Sequence, residues 1–133
     1  MAIEIPNGER IAAQLQTLGI SLASEWDVLA FVCSHGSSLG SAALIARFIG
    51  YDDVEIAAAL RTLDAGGLIQ RSRVSRGVRF YQLSDSIEPS RLSCLLELVA
   101  LAQNRVGRLQ LVKHLKVPVE AVRWVRNNGV GPV

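Results

Sequence analysis

The chain has no uninterrupted apolar run of the roughly 18 residues a membrane span requires, although half of its 133 residues are hydrophobic. Its first ten residues, MAIEIPNGER, carry two acids and no apolar core. They do not read as a secretory leader, and a cytoplasmic location is expected. Cysteine is scarce: Cys33 and Cys94 each lie inside an apolar helical pattern. There a free thiol packs as a small hydrophobe, with a disulfide or redox pair as the alternative. The two histidines, His35 and His114, are far apart, so no metal-ligand spacing is present. Aromatics make up 5% of the chain and mark no ligand pocket. SHGSSLGSAA (Ser34 to Ala43) is rich in Ser and Gly but lacks a Lys after Gly and a preceding strand. It is a connecting loop, not a phosphate loop. No nucleophile elbow occurs. These absences argue against an enzyme and call for no cofactor and no metal.

Acids are also scarce in one half. Residues 1 to 67 hold three basic and eight acidic residues, a net charge of −5, whereas residues 68 to 133 hold eleven and four, a net charge of +7. Such a split suggests that the second half faces a polyanion or an acidic partner. The alternative is a surface whose charges compensate between neighbouring elements.

Helical spacing dominates what is there. Residues 7 to 18 predict a helix with Asn7 as cap and Ile11, Ala12, Leu15 and Leu18 on one face. SEWD places Ser24 as the cap of a second helix, with Asp27 at its third position. Ser41 caps a third, over 41 to 49, with Leu44, Ile45, Phe48 and Ile49 as its buried stripe. Asp52 or Asp53 caps a fourth, which directs Ile56, Leu60 and Leu63 inward and stops at Gly66-Gly67. Two strands follow, Leu68 to Val74 and Val78 to Ser84, around a turn in which Gly77 takes positive φ. Pro89 opens a helix with Leu92, Leu95, Leu96, Val99 and Ala102 on one face. A shorter helix covers about 108 to 115, and Pro118 begins a last one, PVEAVRWVRNN.

Three helices and a hairpin, with the middle helices meeting around the short turn IGYDD, are laid out as a winged helix-turn-helix. LRTLDAGGLIQRSRVSRGVRFYQLS resembles the winged-helix pattern at Leu60, Leu63, Gly67, Leu68, Ile69, Tyr81, Leu83 and Ser84. The resemblance covers about residues 24 to 84 and is nearest to bacterial MarR-type regulators. It implies a mostly α (α+β) fold, a winged helix-turn-helix with flanking N- and C-terminal helices. Residues 1–23 would form a dimerising arm, 24–86 the winged domain, and 87–133 a C-terminal helical region. That last region would serve dimerisation or form a second helix-turn-helix-like unit. The long C-terminal dimer helix of the family is interrupted here by RVG near Gly107. Aliphatic residues also repeat at a shift of 66, Leu29 onto Leu95 and Ile45 onto Leu111 among them, which suggests an internal duplication.

The function implied is a DNA-binding transcription regulator acting on double-stranded DNA as a homodimer. The dimer would form through Ile11, Leu15, Leu18 and the helix 89 to 104. The reading helix is poorly charged for that task. Its expected outward positions are Asp53, Glu55, Ala57, Ala58, Arg61 and Asp64, of which Arg61 alone suits a nucleic-acid groove. The hairpin compensates: Arg71, Arg73, Arg76 and Arg79 fall within nine residues with no acid among them. They can grip phosphates or a minor groove, or they protect a solvated strand edge from pairing. Arg47, Arg123 and Arg126 complete the expected DNA-binding set, and Trp124 is a core or dimer anchor. The alternative function is a winged-helix protein-interaction module without DNA contact, in which Ala57, Ala58 and Ala59 admit a partner helix. A ligand-gated repressor of the drug-sensing kind is a third.

Overall fold

The structure, a computed structural model, describes residues 8–35, 40–72, 74 and 76–116. Six helices and three short strands appear in the order α1 (Gly8–Leu18), α2 (Ala23–Ser34), β1 (Gly40–Ser41), α3 (Ala42–Ile49), α4 (Asp53–Ala65), β2 (Ile69–Arg71), β3 (Phe80–Leu83), α5 (Pro89–Leu101) and α6 (Arg105–Val112). The fold is mostly α with one small antiparallel sheet, as the alternation of helical spacing and hairpin signals predicts.

Local chemistry explains most boundaries. The Ser41 hydroxyl accepts from Leu44 N at 3.2 Å, and Gly50 ends α3 in the left-handed conformation. The Asp52 carboxylate accepts from Glu55 N at 2.9 Å and caps α4. Both caps satisfy amides that an α-helix leaves unpaired at its start. The cap of α2 differs from expectation. It is Leu22, not Ser24, and the acid is Glu25, whose carboxylate accepts from Ser21 N at 3.0 Å and Leu22 N at 3.2 Å. The cause is long-range. Lys116 lies alongside residues 21 to 23, with Ala23 N donating to Lys116 O at 2.8 Å and Lys116 N to Ser21 O at 2.9 Å.

The sheet has the order β1-β3-β2, with Ile69 opposite Leu83, Arg71 opposite Tyr81, and Ser41 opposite Phe80. The assigned hairpin strands are shorter than the expected 68–74 and 78–84. Beyond β2, the Ser72 amide donates to Phe80 O and its hydroxyl accepts from Phe80 N at 3.1 Å. β1 was not anticipated: two residues carry no alternation to detect.

One hydrophobic cluster joins all three sequence regions. Ile11, Leu15 and Leu18 of α1, Val28 and Leu29 of α2, Ile45 of α3, Ile56, Leu60 and Leu63 of α4, Leu95 and Leu98 of α5, and Leu111 of α6 are all buried in it. This burial corrects the expected dimer surface: Ile11, Leu15 and Leu18 are consumed by packing within one chain, where α1 lies against α5. Leu44 and Phe48 also depart from expectation, since both are exposed. Ile45 and Ile49 face inward as expected, and Ala42 and Ala46 take the places of Leu44 and Phe48 beside them. Leu96 of α5 is likewise exposed, and Leu98 takes the inward position.

α5 and α6 are separated by a turn at 102 to 104, and α6 begins three residues before the predicted 108. Asn104 caps it, its side chain accepting from Gly107 N at 2.7 Å. Gly107 therefore lies inside α6, where the helix passes so near α5 that a Cβ would overlap the Leu101 carbonyl oxygen. Cys33 and Cys94 are free and half-buried, and burial pushes the Cys33 thiol pKa up. The expected helix from Pro118 and the proposed second unit it completes lie outside the described residues. No helix among the described residues is long and apolar enough to cross a membrane.

Candidate nucleic-acid interface

The acids of α4 are largely occupied by folding. Asp52 caps the helix, and Glu55 is buried, correcting its expected outward position. Asp64 is held by Arg71, whose Nε lies 3.0 Å from Asp64 Oδ2. Asp52, though it caps the helix, and Asp53 both stay exposed. The outward stripe of α4 is Val54, Ala57, Ala58, Arg61, Thr62 and Ala65. Its first member, Val54, is 69% exposed. Val54 was overlooked in the sequence, though it stands about 200° around the helix from the buried Ile56 and so must face outward.

The hairpin beside α4 carries its own cations. Arg71 is neutralised by Asp64, so the sequence's picture of a ribbon without counter-charges fails at this position. The hairpin's own segment does lack acids, and the carboxylate arrives from α4. Arg76 and Arg79 are exposed and carry no ion pair to a described residue. Arg76 occupies the turn with φ of 53°, followed by Gly77 at 78°. Successive positive φ values match the twist of paired strands, but an L-residue in that region costs roughly 1–2 kcal/mol. Glycine was foreseen there; an arginine was not. Arg73 lies outside the described residues.

Arg47 of α3 and Arg61 of α4 are exposed and likewise carry no ion pair to a described residue. Arg105, Arg108, Lys113 and Lys116 are exposed in or just after α6, while Arg123 and Arg126 lie outside the described residues. No described group of three or more His, Cys, Asp or Glu side chains could hold a metal ion.

The turn between α3 and α4 is anchored from behind. Tyr51 Oη donates to Asp27 Oδ2 of α2 at 2.8 Å. Burial raises the Asp27 carboxyl above its ordinary pKa of 3.8, opposed by the Tyr51 hydrogen bond and the positive charge of Arg108. Burial and the adjacent carboxylates of Asp27 and Glu55 push the Tyr51 phenol upward as well. The bond fixes the turn that aims α4. At the far end of α2, His35 stacks on Phe31 with ring centroids 4.0 Å apart, and Phe31 lies 5.4 Å from the exposed ring of Phe48.

No family model, no curated protein and no solved structure matches the chain.

Proposed function

We propose that the chain is a winged-helix DNA-binding regulator, with α3 and α4 as its helix-turn-helix and the β2–β3 hairpin as its wing. One observation carries this reading. Of the acids expected outward on α4, Glu55 is buried and Asp64 is paired with Arg71, which leaves Asp53 against Arg61 on that face. Arg47, Arg61, Arg76 and Arg79 then remain as exposed cations on α3, α4 and the adjoining hairpin. A helix enters a major groove by that kind of face, and a basic ribbon beside it can follow phosphates or the minor groove. Dimerisation, if the regulator uses it, requires a surface other than Ile11, Leu15 and Leu18.

Salt dependence tests the reading. Four neutralised phosphates give a log–log slope of affinity against salt of about −4, and Arg76→Ala with Arg79→Ala removes about two of these units. An unchanged slope in the double variant rejects the wing assignment.

A protein-interaction module is the second reading, favoured by Phe48, which is 66% exposed beside Leu44. Its test is a co-purifying protein that Phe48→Ser releases while duplex DNA has no effect on it.

A further inference from the structure

We infer that the outward face of α4 distinguishes thymine by its methyl group, which makes Val54 and the adjoining Ala57 and Ala58 specificity determinants for A·T-containing duplexes. The inference rests on the DNA-binding reading and adds the class of sequence read. Residues at the start of a groove-bound helix meet base edges. In α4 these are Asp53, Val54, Ala57 and Ala58, and Arg61 follows one turn later. Among them, Val54, Ala57 and Ala58 offer no hydrogen bond from their side chains. What they can offer is apolar contact, and in the major groove the thymine C5-methyl is the apolar group on a base edge. Val54 is 69% exposed, so its two methyls have area to bury.

Charge favours duplex DNA as the occupant over another apolar surface. The stripe runs into Arg61, and Arg47, Arg76 and Arg79 stand exposed on the packed neighbours α3 and the hairpin. Asp53 is the contrary charge. Its carboxylate can accept from the amino group of cytosine or of adenine, so it does not choose the base pair, and the methyl contacts alone carry the preference.

The experiment compares fluorescence-anisotropy affinities of the full chain for three short duplexes at low salt. These are an alternating A·T sequence, the same sequence with deoxyuridine for every thymidine, and a G·C sequence. Deoxyuridine removes the methyl and leaves the pairing edge intact. Each buried methyl lost should weaken binding by about fourfold. Val54→Ser should bind the thymidine and deoxyuridine duplexes more nearly alike while keeping its affinity for the latter. Circular dichroism confirms that the variant folds. Equal affinity of the parent for thymidine and deoxyuridine duplexes overturns the inference and leaves DNA binding standing. Full discrimination retained by Val54→Ser also overturns it, because the most exposed apolar side chain of the stripe then makes no contact with the methyl. Failure to bind any of the three duplexes overturns both readings.

Discussion

Arg71 Nε and Asp64 Oδ2 lie 3.0 Å apart, so the first strand of the hairpin is tied by charge to the last turns of α4. The pair is partly exposed, and such pairs contribute roughly 0.2–1 kcal/mol. Its larger effect is on what the hairpin presents: one of its arginines is neutralised before any ligand arrives. Asp64→Asn should free that guanidinium, steepen the salt slope of DNA binding by about one unit, and lower stability by less than about 1 kcal/mol. Anisotropy titrations over a salt series and urea denaturation measure the two effects. An unchanged slope would mean that Arg71 does not reach a phosphate even when released.

Arg76 occupies a left-handed backbone position that asparagine adopts with less strain. Arg76→Asn should stabilise the fold by about 1 kcal/mol and still weaken duplex binding. Urea midpoints and binding constants moving in opposite directions would identify the turn as strained for a purpose. Loss of stability in the variant would show that the arginine makes compensating contacts.

Asp27 sets a pH dependence with a definite sign. Its folded carboxyl pKa is raised, so the native state holds this proton more tightly than the unfolded chain. The stability it contributes is fully present below the ordinary value of 3.8 and is lost as pH rises through the higher folded value. Asp27→Asn, which keeps an oxygen to accept from Tyr51, should therefore gain stability relative to the parent between about pH 4 and pH 7. Tyr51→Phe should cost about 1 kcal/mol and raise the Asp27 pKa further, because the carboxylate loses its donor. Denaturation at several pH values checks both, and a parent–variant gap that is flat with pH refutes the assignment.

Arg91 holds two helix ends together. Its guanidinium donates to Thr17 O at 3.3 Å and Leu18 O at 3.2 Å in α1, and to Gly66 O at 2.7 Å just beyond α4. Carbonyls at helix ends carry partial negative charge, which a cation complements. Arg91→Ala should destabilise by about 2 kcal/mol, the site being partly open to water, and Arg91→Lys should restore only part because one ammonium cannot span all three carbonyls. Urea denaturation of the two variants gives the comparison.

The particular residues show which features could be read from the chain. Asp52, Ser41, Pro89 and Gly77 act through neighbours a few residues away, and their roles were legible. Ser24 failed as a cap because Lys116, distant in sequence, pairs with residues 21 to 23. Leu44 and Phe48 were misplaced because the period of α3 admits either flank of the Ile45 and Ile49 row, and contact with α2 and α4 selects between them. The four candidate arginines Arg47, Arg61, Arg76 and Arg79 are exposed as expected, but the neutralisation of Arg71 was not legible. Asp64 reaches it from another element, and a linear list of charges holds no such distance.

At Gly107 α6 crosses the end of α5 with no room for even a methyl group. Since α5 also packs on α1 and shares its cluster with α4, a side chain at 107 would push on the layer that supports the proposed helix-turn-helix. Gly107→Ala should therefore disturb α4 from the opposite side of the core, a mechanical link between a remote seam and the outward helix.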